Sequence, residues 1–563
     1  MRCWRSKRLG MPLSSHAARM RTDAQKPAHL RGNTMGAMTD HAAHPLDDPA
    51  ADPFAAAEQE FDKITTFLCS QEAGSLTHSD LERMLDVKGR ELLRKLLQAH
   101  LDLRRPGEAA AAVRDAAGKT QSRARLHDRQ LETIFGTVTV SRTGYGAEGK
   151  PSLHPLDGAL NLPVEKYSHE VRRRVAIEAA KNAFDEGVKT LETYTGAHVP
   201  KRQFEELVVR AAQDFGDFYE ARQAWARAAP QTGSILVLTV DGKGVVMRPE
   251  DLREATRRAA AKREETFTAR LGRGRRLHAK RMASVAAVYT IEPFVRAPED
   301  VLPPTGKAAE EPIRPRPEHK RVWASLERTP EEVITAMFDE AKHRDPRHRK
   351  TWVAVVDGNL TQLDSLHKLA RQRKVALRIL VDFIHVAQYV WQAALAFYPA
   401  DPAKQDAWVR IHLLEILRGK AGYVAGGMRR SATLQSMATA ERKPVDECAD
   451  YLLTYAPYLR YHIALSAGLP IASGVVEGAC RHLVNDRMNL TGARWSLQGA
   501  EAVLRLRALR SSEDFDDYWG FHEIREYERN HAAHYANQQV PATVPPKQSS
   551  PRPSHPRLKL VKK

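Results

Sequence analysis

The sequence predicts an α/β protein whose sheet is preceded and interrupted by helical regions. Three observations carry that prediction. The segments SILVLTVDGKG, KTWVAVVDGN and VALRILVDFIH contain runs that are apolar throughout rather than alternating, which suits strands buried on both faces. Amphipathic stretches, EEVITAMFDEAKHR (331–344) and TQLDSLHKLARQRK (361–374), alternate with them, as expected for a sheet covered by helices. From Val386 to about Leu469 the pattern is helical with few strand signals. This stretch reads as an all-helical insertion, 386–470, between a first core part, 233–385, and a last one, 471–530.

Ahead of the core the elements are mostly helices. Residues 1–58 lack sustained periodicity and read as a disordered extension. A region over 59–150 begins with a helix near Phe61. Its segment 81–104 gathers Leu85, Leu92, Leu93, Leu96 and Leu97 on one face. TIFGTVTVSRTGY (133–145) alternates like a hairpin. Residues 151–232 hold three helices between 168 and 212, with Ser168 as N-cap, Gly196 as a stop and Pro200 at the start of the third. The last two resemble a helix-turn-helix, in which Lys201 and Arg202 would open the recognition helix. A plain helical hairpin is the blander alternative. KRMASVAAVYTIEPF (280–294) reads as one or two strands, ASGVVEGACRHLVNDRM as a helix from about Ser473, and LQGAEAVLRLRALRSS as another after Trp495. The tail, 531–563, is basic and reads as flexible.

The chain has 563 residues, too many for one hydrophobic core. Its net charge of +18 favours a polyanionic partner through phosphate contacts and counterion release. The four cysteines form no C-x-x-C pair, which argues against a zinc ribbon or a disulfide framework and fits a reducing cytoplasm. The longest apolar stretch, 375–398, is broken by Arg378, Asp382, His385 and Gln388, so no membrane span is expected. The basic N-terminus lacks the apolar core of a secretory signal. It reads as an unstructured extension, or as a start placed ahead of Met35 or Met38, rather than as a transit peptide.

Two of the buried strands end alike, in Val240-Asp241-Gly242 and Val356-Asp357-Gly358. An Asp at the carboxyl end of a central strand points into the crevice where α/β sheets bind ligands. One such motif alone is usually a strand end capped by a turn. Two neighbouring carboxylates repel, and a divalent cation relieves the repulsion; an oxygen-rich set selects Mg²⁺ or Mn²⁺. Glu477, on the helix that starts in ASGVVEG, is a candidate third ligand. A pair of ions suits phosphodiester cleavage because it stabilises both the attacking and the leaving oxygens. Asp382 also ends a buried strand, so it competes with Asp357 for the second metal-ligand place; Asp357 is preferred because its V-D-G matches that of Asp241. Asp382 then reads either as an N-cap for the following helix or as a polar partner near the site.

Taken together, DGKGVVMRPEDL, VVDGN, VDFIHVAQYVW, ASGVVEGACRHLV and GARW resemble the ISKra-type insertion-sequence transposases, members of the DDE group related to Mutator-like elements. The resemblance covers about residues 80 to 525. It implies an RNase H-like core, a helical insertion before the last acid, and excision and strand transfer of DNA dependent on two divalent metal ions. It maps the acidic triad to Asp241, Asp357 and Glu477. It also matches a D-x-x-H motif to Asp382 and His385, with His385 as a further catalytic residue. Candidate DNA contacts are Lys201 and Arg202, the glycine-flanked Arg273, Arg275 and Arg276, and Arg487, Arg494 and Trp495 after the Glu477 helix. Trp495 would either stack on a base or sit in the core. A homo-oligomer is expected as well. Another RNase H-like nuclease, or a transposase-derived DNA-binding protein without catalysis, are the competing readings.

Overall fold

The computed structural model describes residues 52–104, 106–147, 149, 151–224, 232–265, 280–302, 313–490 and 492–544. They form a mixed α/β structure. The chain opens with α1 (Ala55–Leu68), α2 (Gln71–Ser75) and the long α3 (His78–Leu103), so helix begins six residues before Phe61. A two-stranded antiparallel ribbon follows, β1 (Arg123–Thr133) and β2 (Gly136–Gly146). The expected hairpin is present, but 133–145 is mainly its second strand. The first strand, RARLHDRQLET, is polar and largely exposed, so it lacks the apolar alternation that marks a half-buried strand. Leu131, Val138 and Val140 of the ribbon pack with Leu97 and Leu101 of α3.

After α4 (Pro155–Ala159) come α5 (His169–Lys181), α6 (Phe184–Tyr194), α7 (Lys201–Ala211) and α8 (Phe215–Ala224). Ser168 caps α5 by accepting from Val171 N–H, and Pro200 stands at the N-cap of α7. The apolar face of α7, with Phe204, Leu207, Val208 and Ala211, is buried against α5, α6 and the later α20 (Leu497–Ser511).

The central sheet is built from β3 (Ile235–Val246), β4 (Lys280–Ile291), β5 (Glu318–Ser325), β6 (Thr351–Val356) and β7 (Leu377–Val381). Between them lie α9 (Glu254–Glu265), α10 (Pro298–Val301), α11 (Pro330–Arg344) and α12 (Leu360–Gln372). The strand order is β5-β4-β3-β6-β7; β3 pairs antiparallel with β4 and parallel with β6, and β6 pairs parallel with β7. Alternate residues of β3 and β6 feed two cores. Leu236, Leu238, Trp352 and Ala354 join the helices on one face. Ile235, Val237, Val353 and Val355 join α13 (Phe383–Phe397), α14 (Pro402–Leu417), α15 (Ala421–Leu434), α16 (Thr439–Thr454) and α17 (Tyr461–Ser466) on the other. That division is why both strands read as unbroken apolar runs. Residues 383–466 are helical throughout apart from short connections, in line with the pattern from Val386 on.

The chain returns to the sheet through α18 (Gly474–Ala479), a π-helical turn (Cys480–Asn485), α19 (Asp486–Met488), α20 and α21 (Phe515–Asn530). Residues 531–544 depart from the expected flexible tail. Ala110 N–H donates to Ala542 C=O (2.8 Å), Val544 N–H to Glu108 C=O (2.8 Å), and Val540 packs against Gly158. Residues 545–563 and 1–51 lie outside the described residues.

A buried ionic knot joins the helices before and after the sheet. Arg172, fully buried, donates to Glu165, to Glu526 (2.6 Å) and to His522 Nε2 (3.0 Å); His522 Nδ1 meets Asp214 (2.7 Å), and Arg529 reaches both Asp214 (2.6 Å) and Glu526 (2.8 Å). Asp214, His522 and Glu526 present ligand atoms within 4.8 Å of one another. The Arg172 guanidinium already supplies their positive charge, so the group is a satisfied salt bridge.

Candidate active site at the end of the parallel strands

The parallel ladder ends in one row of residues: Val240 opposite Val356, and Val356 opposite Val381. The next residue on each chain is an aspartate, Asp241, Asp357 and Asp382. Strands in a sheet lie about 4.8 Å apart, so the register alone makes Asp241 and Asp357 neighbours. Burial raises the Asp357 pKa above the usual carboxylate range, and the Asp241 charge adds to it. His385 acts on the same carboxyl in the opposite direction. Among the described residues no Lys or Arg forms an ion pair with Asp241, Asp357 or Glu477.

The two V-D-G segments behave differently. After Asp357 the chain turns at Gly358, whose φ of +94° is left-handed. A Cβ there would meet the Tyr455 ring at 3.2 Å and the Tyr451 hydroxyl at 3.3 Å, so glycine is required twice over. After Asp241 there is no turn. Strand β3 runs on to Val246, still paired with β4, which corrects the expectation that it ends at the aspartate. The antiparallel partner supplies the hydrogen bonds that β6 no longer does. The flank of β3 left open beyond Val240 is covered by α18 and the π-helical turn, and the cover closes at a bridge between Met247 and Trp495.

That cover brings in the third acid. Glu477 lies exposed on α18, one turn before buried Cys480. Cys480 Sγ donates to Asp241 Oδ2 (3.2 Å), and Gly242 N–H donates to Oδ1 (2.6 Å). Burial, with Asp241 and then Glu477 adding negative potential, pushes the thiol upward, so it stays protonated and donating. Cys480 thus ties the Glu477 helix to Asp241. The three carboxylates do not gather within 4.8 Å of one another as a trio.

Asp382 is spoken for. It is 6% exposed; Oδ1 accepts from Ile384 N–H (2.7 Å), capping α13, and Oδ2 accepts from Ser473 N–H (2.9 Å) and Ser473 Oγ. It fastens β7 and α13 to the residue before α18. His385, half-buried, stands one turn along α13 with its ring against Tyr389 (5.6 Å) and Tyr451 (5.9 Å). Tyr451 stacks on Tyr389 at 4.0 Å and its hydroxyl donates to Asp357 C=O (3.0 Å).

The candidate DNA contacts divide. Lys201 and Arg202 are exposed at the start of α7, paired with Asp185 (2.8 Å) and Glu206 (3.2 Å), and Arg494 is exposed next to the Met247–Trp495 bridge. Arg273, Arg275 and Arg276 lie outside the described residues. Arg487 is corrected, and of the two readings of Trp495 the core one holds: both residues are buried. Arg487 is 2% exposed, donates to Ala179 C=O (2.9 Å), and lies over the rings of Phe184 (5.0 Å) and Trp495 (4.8 Å). Burial lowers its pKa to about 10, with Arg507 adding to the effect. Trp495 is 5% exposed and donates to Met488 C=O (3.1 Å). A guanidinium sandwiched by aromatics gains cation–π attraction in place of solvent. Sequence reasoning overlooked Cys480 and Tyr451, since neither a lone cysteine nor a tyrosine in a helical stretch signals contact with a distant aspartate.

No family model matches the chain. Over 93 residues, 16% of the chain, it is 30% identical to "UPF0236 protein in vanSb 3'region" of Streptococcus gallolyticus, and the match spans 21% of that protein. The chain thus matches about a fifth of the length of this curated relative. Among solved structures it is similar to "Drosophila P element transposase strand transfer complex", with 10% identity, a TM-score of 0.21, and coverage of 62% of this chain and 79% of that one. The sequence likeness is confined to a short stretch, and the structural likeness is smaller than that of a shared fold.

Proposed function

We propose that the chain is a DNA transposase of the DDE kind. In this reading the sheet is an RNase H-like core, 383–466 is its helical insertion, and Asp241, Asp357 and Glu477 hold two Mg²⁺ or Mn²⁺ ions. The observation that carries it is the end of the ladder. Two carboxylates follow a paired Val240–Val356 rung on adjacent parallel strands, no Lys or Arg among the described residues pairs with them, and a third carboxylate stands on the helix that covers the open flank of β3. The strand order, with β4 antiparallel to β3 and β5, β6 and β7 parallel to it, supports the same reading.

The donor set fits hard divalent cations, because every candidate ligand is a carboxylate oxygen. Such ions, when bound, stabilise charge on the attacking and leaving oxygens of the phosphodiester. The protein's own groups do the rest. Asp241 is held by two neutral donors, the Gly242 N–H and the Cys480 thiol. Asp357 is presented by a turn pinned between α12 and α16. His385, beside Asp357, is placed to orient water or a phosphate oxygen. Lys201, Arg202 and Arg494 are the surface cations assigned to DNA, and the basic segment around Arg273, Arg275 and Arg276 is assigned to it from its composition.

The test is cleavage of DNA carrying the element's ends, compared with unrelated DNA of equal length. Cleavage should require Mg²⁺ or Mn²⁺, favour the ends, and vanish in Asp241→Asn while binding persists. Equal cutting of unrelated DNA would favour a general nuclease. Binding without cleavage under every metal condition would favour a DNA-binding protein that has lost catalysis.

A further inference from the structure

Tyr451 lies on α16, in the helical segment far in sequence from the acids, yet it reaches the turn that carries one of them. Its ring is 8% exposed and is wedged among Tyr389 (4.0 Å, stacked), Tyr455 (4.6 Å) and His385 (5.9 Å). Its hydroxyl donates to Asp357 C=O at 3.0 Å. That carbonyl belongs to the peptide leading into Gly358, the left-handed residue of the turn. One residue further on, Asn359 N–H donates to Asp357 Oδ1 (3.0 Å), and Asn359 Oδ1 caps α12 by accepting from Gln362 N–H (3.3 Å). The turn is therefore gripped from two sides, by the α12 cap and by the Tyr451 hydroxyl. A rotation of the Asp357–Gly358 peptide would break the Tyr451 bond and loosen the turn that carries the carboxylate.

We infer that Tyr451 is a positioning residue for Asp357, through which the helical segment sets the geometry of the cation site. This rests on the reading of Asp357 as a metal ligand. Tyr451 touches no reacting atom in this scheme. It acts by holding one peptide plane, and through it one carboxylate. The hydroxyl is the effective group: the ring alone fills the space beside Gly358, whereas only the O–H fixes the carbonyl. Tyr455 offers a built-in comparison, since its ring packs on the same glycine but, among the described residues, its hydroxyl makes no hydrogen bond.

The experiment is a double-mutant cycle on the full chain, with Mn²⁺ as the probe. Bound Mn²⁺ is measured from the loss of the free-ion electron paramagnetic resonance signal. Removing one hydrogen bond should weaken Mn²⁺ affinity roughly three- to tenfold in Tyr451→Phe, with DNA binding and thermal unfolding close to those of the native chain. Tyr455→Phe should bind Mn²⁺ as the native chain does. In an Asp357→Asn background, Tyr451→Phe should bring no further loss, because the carboxylate it positions is gone. Should Tyr451→Phe fail to fold, Gly358→Ala perturbs the same turn and should likewise weaken Mn²⁺ binding only while Asp357 is present. Native affinity in Tyr451→Phe, or an equal loss with and without Asp357, overturns the inference. If Asp357→Asn by itself leaves Mn²⁺ binding unchanged, the acidic-site reading is what fails, and the inference falls with it.

Discussion

Replacing Asp382 with alanine separates a fastening aspartate from a metal-binding one. Asp382 is 6% exposed and its two oxygens accept three hydrogen bonds: Ile384 N–H, Ser473 N–H and Ser473 Oγ. Loss of the helix cap costs about 1 kcal/mol. Each of the two Ser473 bonds ends on a charged acceptor, worth about 1.5–3 kcal/mol, and their donors would be left in a buried place. Part of this is returned because a buried carboxylate no longer has to be desolvated. The net loss for Asp382→Ala is then about 3–5 kcal/mol. The assay is urea unfolding followed by circular dichroism in EDTA, so that no cation contributes. Asp357→Asn in the same buffer should be as stable as the native chain or more so, since it removes a partly buried charge beside Asp241 that the fold holds in its less favoured form. An Asp382→Ala protein within about 1 kcal/mol of native, or an Asp357→Asn protein the less stable of the two, would refute the assignment of roles.

Other outcomes follow from the same geometry. Arg172→Met should cost about 3–5 kcal/mol, because it leaves Glu526 and Glu165 without their buried partner; a midpoint shift in urea checks this. Burial alone would raise the carboxyls of Glu340 and Glu526, but Arg321 and Arg344 hold the first, and Arg172, His522 and Arg529 the second, at about 2. Both are therefore depressed below the ordinary 4.5. Their contribution is complete above that value and drains away as pH falls from 4.5 towards about 2, which an acid titration of unfolding should register. Lys201→Ala with Arg202→Ala should leave stability within about 0.5 kcal/mol and flatten the salt dependence of DNA binding by about two phosphate contacts. Arg487→Met, by contrast, should alter unfolding and leave that salt slope unchanged.

Much of the central sheet could be read from residue patterns, because strands buried on both faces advertise themselves as unbroken apolar runs; β3 and β6 are of this kind, while β7, an edge strand with Arg378 exposed, was legible from its remaining apolar residues. Strand β5 was invisible because its first three residues, Glu318 to Lys320, are exposed and polar. The polar first strand of the ribbon was missed for a similar reason. In the site, the row of aspartates was legible, since register follows from equivalent strand ends. The length of β3 was not, because its last residues are held by β4 rather than by their own pattern. Arg487 and Trp495 show the opposite failure. An arginine near a tryptophan looks like a nucleic-acid surface until distant Phe184 and Ala179 supply a ring and a carbonyl to bury it. Local composition carries no sign of such partners.

The stitching of 540–544 onto 108–158 has a consequence for how the protein is made. During synthesis residues 108–110 and the α4 region emerge first, yet the segment that pairs with the one and packs on the other is translated roughly four hundred residues later. Until then Gly158 and the chain near Ala110 face water or whatever protects nascent polypeptide. Maturation of this module is deferred until residues 540–544 have left the ribosome.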